Sequence, residues 1–246
     1  MGEVIAVLSG KGGTGKTSVC AGLSCALAEE GKRVLCIDCD VGLRNLDISL
    51  GLADSSALSF LEVSEGGYPL SGAAMHPQFP SLRFLTAPMN RAVEAIDAAA
   101  FCRTVRQAAA EFDYVLLDAP AGVDAGFRLV TAPADRILLV TGAGPGAIRD
   151  AARVGQLLEL QGKTQVRLIV NRVDEDMLSA VKITVDDVMD IAGLPLMGIV
   201  PEDPAVVLAA SFGKAVCRYQ KRCGAAKAFR RIARRLQGIA TPIRLH

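Results

Sequence analysis

Gly10-Lys11-Gly12-Gly13-Thr14-Gly15-Lys16-Thr17 stands directly behind the apolar run Val4-Ile5-Ala6-Val7-Leu8. The eight residues fit the pattern G-x-x-x-x-G-K-[ST], in which glycines let backbone N–H groups close around phosphate oxygens. The run before it is short, apolar and rich in β-branched residues, and Ser18 to Glu30 has the Ala, Leu and Glu content of a helix. Strand, loop and helix together predict that the helix N-terminus points at the phosphates. In such a loop Lys16 pairs with the outer phosphates and Thr17 gives its hydroxyl to Mg²⁺. The competing reading, a glycine-rich turn and nothing more, does not account for the agreement of pattern and flanks.

Working outward, 246 residues can bury about three quarters of their unfolded surface as one domain. Half the residues are hydrophobic, with no Trp and 4% aromatics, so the core must be Ala, Val, Leu and Ile. Such a core suits an α/β fold, a mainly parallel sheet with helices on both faces. No apolar run reaches the roughly 18 residues that span a bilayer, and the N-terminus enters a strand with no signal segment. A cytoplasmic protein is expected. Six of the seven cysteines sit in or beside apolar segments, which predicts reduced thiols packed as small hydrophobes. Cys36-Ile37-Asp38-Cys39 forms a C-x-x-C, but at a strand end, where core packing is expected. His76 and His246 have no metal-ligand spacing.

Arg33 to Ile37 reads as the second strand and delivers Asp38-Cys39-Asp40 to the sheet edge where open parallel sheets bind ligands. Two carboxylates two residues apart can face the same way, one toward Mg²⁺ and one toward an attacking water. Ser55 to Val63 predicts a short helix, Glu65 to Pro80 a loop, Leu82 to Thr86 a strand and Glu94 to Ala110 a helix. Phe112 to Leu117 is a buried strand ending in Asp118-Ala119-Pro120-Ala121-Gly122. A carboxylate closing an apolar strand is placed to hold Mg²⁺, or it simply starts a turn. Further on come a helix from Asp124 to Thr131, a strand from Arg136 to Thr141 and a helix from Gly146 to Leu160. Strands Val166 to Val170 and Leu196 to Val200 run into Asn171-Arg172 and Pro201-Glu202-Asp203-Pro204. The Asn171 amide offers a donor and an acceptor suited to an adenine edge. No repeat or low-complexity tract divides residues 1–246.

Lys11 goes beyond the phosphate-loop pattern. The form K-G-G-x-G-K-[ST] resembles the deviant Walker A ATPases, the P-loop NTPase family that includes MinD, ParA, nitrogenase iron protein and arsenite-pump ATPases. Asp40-Val41-Gly42-Leu43-Arg44-Asn45-Leu46-Asp47, followed by Leu50-Gly51-Leu52, looks like the D-x-G-L-R-N-L-D segment of the MinD branch. Asp118 to Gly122 resembles that branch's D-x-P-A-G switch II, and Ala147 to Asp150 its segment after the corresponding strand. The resemblance runs from Val4 to about Leu236. It implies a three-layer P-loop NTPase that hydrolyses ATP to ADP and phosphate and uses the nucleotide state as a dimerisation switch for placing the division site. By that resemblance Gly12, Gly13, Thr14, Gly15, Lys16, Thr17 and Ser18 cradle the phosphates, and Thr17, Asp38 and Asp118 serve Mg²⁺. Asp40 orients the hydrolytic water, and Lys11 completes the partner's site in an ATP-dependent homodimer. Asn171, Arg172, Pro201 and Asp203 flank the adenine. The implied partners are a MinC-type division inhibitor, a MinE-type activator and the inner face of the membrane.

Net charge of +1 hides an asymmetry: residues 204 to 246 hold ten Lys or Arg and no Asp or Glu, against 17 basic and 26 acidic residues before them. Phe229, Ile232, Leu236 and Ile239 recur at helical spacing among Lys227, Arg230, Arg231, Arg234 and Arg235, which predicts a basic amphipathic helix over about 217–239. Its apolar side can pack on the sheet with the basic side solvated. Alternatively, the basic face meets anionic lipid or, as in ParA-like partition ATPases, DNA phosphates. MinD-type chains end in a separate membrane-binding helix, and Thr241-Pro242-Ile243-Arg244-Leu245-His246 shows no such helix. The expectation is that the basic helix substitutes or that the anchor is missing from this sequence. The rival functions are a DNA-partition or flagellar-number ATPase and an iron–sulfur carrier of the same superfamily. For that carrier Cys217 and Cys223 are a poor match to C-x-x-C.

Overall fold

The computed structural model describes residues 1–53, 55–89 and 91–244; Leu245 and His246 of the terminal stretch lie outside the described residues. Among the described residues there are eight strands: β1 (Glu3–Leu8), β2 (Val34–Asp38), β3 (Ala74–His76), β4 (Phe79–Leu85), β5 (Tyr114–Asp118), β6 (Arg136–Thr141), β7 (Val166–Val173) and β8 (Leu196–Pro201). The helices are α1 (Lys16–Glu29), α2 (Leu46–Leu50), α3 (Phe60–Ser64), α4 (Ala98–Glu111), α5 (Ala125–Thr131), α6 (Pro145–Leu160), α7 (Glu175–Val181), α8 (Val185–Ala192), α9 (Pro204–Ser211), α10 (Val216–Tyr219) and α11 (Gly224–Leu236). The strands form one sheet in the order β3-β4-β2-β5-β1-β6-β7-β8, parallel except for β3, which runs antiparallel to β4 at one edge.

The composition of β1 explains the layering. Val4, Ala6 and Leu8 join one core with α3, α4, α5, α6 and α8, while Ile5 and Val7 join the opposite core with α1, α2, α9, α10 and α11. Successive strand side chains face opposite sides. A strand covered on both faces must therefore be apolar at every position, and the five-residue run is at most 1% exposed. This is the three-layer α/β architecture the sequence predicts, and all seven predicted strands are present.

Three local expectations need correction. The helix predicted over Ser55 to Val63 shrinks to α3, because Ser59 caps it. Its hydroxyl accepts from the Glu62 N–H and the Glu62 carboxylate accepts from the Ser59 N–H, while Ser59 itself bridges to Thr86. The loop predicted over Glu65 to Pro80 contains β3 and the start of β4. There His76 is buried, bonded to the Leu50 carbonyl at 2.9 Å and edge-on to Phe79, so it works as a packing residue. The basic helix predicted over 217–239 is two helices, α10 and α11, separated at 220–223.

The apolar side of α11 is fully used. Ala225, Ala228, Phe229, Ile232, Ala233 and Leu236 are buried against α1 and β8. Gly22 of α1 and Gly198 of β8 make room for it, since a Cβ on Gly22 would lie 2.3 Å from the Phe229 ring and one on Gly198 2.4 Å from Ile232. Phe229, Ile232 and Leu236 of the predicted stripe are thus core, as the packing reading expects, while Ile239 lies beyond the helix and is 39% exposed; the charged side of α11 faces outward. Gly22→Ala should destabilise the fold by about 1–3 kcal/mol through overpacking. That outweighs the roughly 1 kcal/mol that alanine gains over glycine in a helix. The variant should show a lower denaturant midpoint at unchanged m-value.

All seven cysteines are free thiols. Cys36 and Cys39 are fully buried, in line with packing, and the Cys20 and Cys36 sulfurs touch at 3.7 Å inside the core. Cys217, taken above as a possible cluster ligand, is buried and faces the Gly22 carbonyl. Burial pushes its thiol up to about 12.

Candidate active site

The phosphate loop leaves the C-terminal end of β1, with β5 on one side and β6 on the other. Gly15 caps α1 in the left-handed region at φ 82°, a conformation glycine adopts without strain. No side chain caps this helix end and no carboxylate lies in its first turn. The first N–H groups of an α-helix have no partner within the helix. Here they are left for an external acceptor, and an anion suits the positive end of the helix dipole. Gly12 and Gly13 have open space where a Cβ would stand, so ligand can approach the loop backbone closely.

The loop is held from below by the far half of the chain. The Asn171 amide nitrogen donates to the Thr14 carbonyl at 2.8 Å, and a Cβ on Gly15 would collide with that nitrogen at 2.3 Å. Arg172, at φ 56°, donates to the Gly13 carbonyl at 3.3 Å and forks onto Glu202 at 2.7 Å. Asn171 and Arg172, expected beside the base, are therefore also supports of the phosphate loop. Asp203 is a double cap: one carboxylate oxygen accepts from the Ala205 N–H and the other from the Ala225 N–H, both at 3.0 Å. Burial pushes its pKa up, but these donors outweigh burial and leave it below the ordinary range. Pro201 closes β8 and is buried.

Three carboxylates gather at the phosphate end. Asp38 and Asp118 are register partners at the C-terminal ends of β2 and β5, both at most 1% exposed. The Lys16 ammonium contacts Asp118 Oδ1 at 2.7 Å and lies 3.5 Å from the Thr17 hydroxyl. Asp118 Oδ2 is buried without a hydrogen-bond partner. Burial pushes the Asp118 pKa up more than Lys16 pulls it down, with Asp40 adding repulsion. On the lysine, burial works against the charge, but Asp118 wins and the pKa rises. Asp38 accepts the Asp40 N–H on Oδ1 and the Leu46 N–H on Oδ2, so it pins the two ends of the 40–46 turn. Burial, and then the neighbouring Asp118 charge, raise it to about 7. Asp40 is half-buried at the rim, where its Oδ1 accepts weakly from the Gly42 and Leu43 N–H groups.

These residues fit a divalent cation. Asp118 and Asp40 act on the Lys16 ammonium, one buried Asp118 oxygen is orphaned, and the Thr17 hydroxyl stands at the head of α1. Among the described residues no three carboxylate, histidine or cysteine side chains are grouped as a ready-made metal site, so the protein supplies only part of a cation's shell. A hard cation takes oxygen donors of this kind. Lys11 is exposed. Its carbonyl accepts from the Ser9 and Thr14 hydroxyls, while its ammonium has no ion-pair partner among the described residues. A cleft of about 480 Å³ lies beside the loop, bounded also by Gly142, Gly144, Ala147, Asp174 and Glu202. Of these only Ala147 and Glu202 fall in segments that the sequence reading singled out.

Comparison with known proteins gives four findings. Residues 5–216 match the CobQ/CobB/MinD/ParA nucleotide binding domain family. The chain is 39% identical over 244 residues to the septum site-determining protein MinD of Synechocystis sp., covering 98% of this chain and 92% of that one. Among solved structures it superposes on MinD in the Aquifex aeolicus MinC:MinD cell division complex with a TM-score of 0.90, at 37% identity and 98% coverage of both chains. The Mg-ADP complex of MinD from Pyrococcus horikoshii gives a TM-score of 0.84, at 29% identity and 96% coverage of both chains.

Proposed function

Since this chain belongs to the CobQ/CobB/MinD/ParA nucleotide-binding family, as a MinD-like cell-division ATPase that takes adenine nucleotide with Mg²⁺, we propose that it works as an ATP-dependent dimerisation switch. The observation that supports this reading is the division of labour between two lysines. Lys16 is buried on Asp118, whereas Lys11 stands exposed on the same loop. A cation without a partner at the mouth of a phosphate site can serve an outer phosphate, and from an opposed copy it stabilises charge as an arginine finger does.

In this reading the N–H groups of Gly12 to Ser18 bind the phosphate oxygens. Lys16 leaves Asp118 for the outer phosphates, and Asp118 is then free to hold the cation shell together with the Thr17 hydroxyl. Mg²⁺ held there would offset the negative charge of the phosphates. Asp38 keeps the 40–46 turn in place, and Asp40 orients the attacking water and accepts its proton. Asn171 and Arg172 support the loop and, with Pro201 and Asp203, border the adenine.

The partners we propose are a MinC-type inhibitor, supported by the Aquifex complex, a MinE-type activator and an anionic membrane surface. Among the described residues no helix is long and apolar enough to cross a membrane. The outward basic side of α11 is the feature that supports peripheral contact. DNA partitioning is the second reading; the ParA family ATPase from Chlorobium tepidum shares the fold at 23% identity. Co-sedimentation with anionic vesicles or duplex DNA, in ATP and in ADP, separates the two, and binding to DNA alone would reverse the choice.

Lys11→Ala tests the switch. It should bind ATP as a monomer within about tenfold of wild type, since a backbone cradle and Lys16 remain, yet lose the ATP-dependent dimer and turnover. Light scattering after size exclusion reads both species. Dimerisation of Lys11→Ala at the wild-type ATP concentration would sink the proposal.

A further inference from the structure

The edge of the sheet opposite the phosphate loop carries a second concentration of positive charge. Arg136 opens β6, Arg167 lies at the start of β7, and Arg235 comes from the last turn of α11. With Gln165, Ile239 and Thr241 they line a cleft of about 350 Å³, in which no lining residue is acidic. Glu3 contacts Arg136 at 2.9 Å and so covers one of the three charges. Among the described residues the other two guanidiniums have only backbone acceptors: Arg167 donates to the Val166 carbonyl at 3.2 Å, and Arg235 to the Thr241 carbonyl at 2.8 Å. The Arg235 Nε–H is buried and, among the described residues, has no acceptor.

We propose that this cleft is a binding site for a single phosphate group, presented as a phosphate monoester or diester. Guanidinium forks match phosphate oxygens bidentately, and charge-assisted hydrogen bonds of this kind are about twice as strong as neutral ones. A phosphate in the cleft meets the terminal guanidinium nitrogens of Arg167 and Arg235 and offsets the unpaired charge of Arg167. The cleft is open to solvent on one side, and its volume of about 350 Å³ takes one phosphate with a glycerol-sized remainder. Ile239 in the wall, 39% exposed, and Ile243 nearby in sequence, 38% exposed, add apolar surface at the mouth. The phosphate can come from a lipid headgroup or from a soluble compound, and both present the same chemistry to the arginines. Because the cleft lies across the sheet from the nucleotide loop, its occupancy is separate from catalysis.

The test titrates glycerol 3-phosphate calorimetrically into the full chain held in saturating Mg-ADP, so that the phosphate loop does not compete. Two charge-matched double variants are compared: Arg167→Gln with Arg235→Gln in the cleft, and Lys227→Gln with Arg234→Gln on the exposed side of α11. Wild type should show one saturable site, weakened about tenfold or more in the cleft variant and changed less than about twofold in the control. ATP turnover should be unaffected in both. Co-sedimentation with phosphatidylglycerol and phosphatidylcholine vesicles then identifies the source. Selective loss of phosphatidylglycerol binding in the cleft variant indicates a lipid headgroup, and loss of glycerol 3-phosphate binding alone indicates a soluble phosphate. Equal weakening in both variants, or no saturable binding in wild type, overturns the site. Binding to duplex DNA lost in the cleft variant without any glycerol 3-phosphate binding overturns it as well.

Discussion

Replacing Lys16 with alanine should abolish nucleotide binding, with ATP and ADP affinities falling by at least about a thousandfold. The ammonium is the one cation buried at the phosphate end, and removing a charge-assisted contact to phosphate inside a low-dielectric site costs several kcal/mol. The same change acts on the unliganded protein, because it leaves Asp118 buried and unpaired. Breaking a buried pair from one side costs about 3–5 kcal/mol, unless the carboxyl takes up a proton and escapes most of that penalty. Asp118 is placed to do so, since burial already raises its pKa. The variant should therefore stay folded at neutral pH, with circular dichroism like wild type, and show no signal with a fluorescent ATP analogue. Binding within tenfold of wild type would mean that the loop is not the phosphate site.

The second large effect is kinetic. Asp40→Ala should bind ATP close to wild-type affinity and lose turnover by about 10²- to 10⁴-fold, the usual range for a positioned acid or base. Without hydrolysis the ATP dimer should persist, visible by light scattering as a species that does not decay. Asp40 also caps the 42–43 turn through two long hydrogen bonds, so alanine alone does not separate chemistry from loop geometry. Asn at this position keeps a carbonyl oxygen for those N–H groups but cannot take a proton. Asp40→Asn should lose turnover as fully as alanine does. Recovery of activity in Asn would reassign Asp40 to shaping the turn.

How much of this was legible beforehand follows from the physics of each part. The phosphate loop is backbone chemistry encoded in consecutive residues, so Gly10 to Thr17 reads directly. The buried strands read as well, because a strand covered on both faces must be uniformly apolar. Asp38 and Asp118 were found as strand-ending acids. Their separate jobs, one pinning a turn and the other holding Lys16, depend on contacts across 8 and 102 residues that no local pattern carries. Asn171 illustrates the same limit, since its amide is committed to Thr14 157 positions away. The short elements were missed for another reason. Leu46 to Leu50 and the helices between Glu175 and Ser211 have too few residues for periodicity to stand out, and α10 is cut from α11 by a local break. The basic tail was the most ambiguous stretch, because an amphipathic helix looks alike whether its apolar side meets lipid or Gly22 and Gly198. Only the packing decides.

The position of β1 in the sheet also has a consequence for how the chain is made. The strand that carries the phosphate loop leaves the ribosome before both of its neighbours, β5, where Glu3 pairs with Tyr114, and β6, where Ile5 pairs with Arg136. At about 5–20 residues per second, some 110 residues of synthesis leave this apolar strand without hydrogen-bonding partners for on the order of ten seconds. The nascent N-terminal third thus has a helix to shelter one side of β1 and nothing to close its edges. The phosphate cradle gains its flanking strands only once β5 and β6 have followed it out of the ribosome.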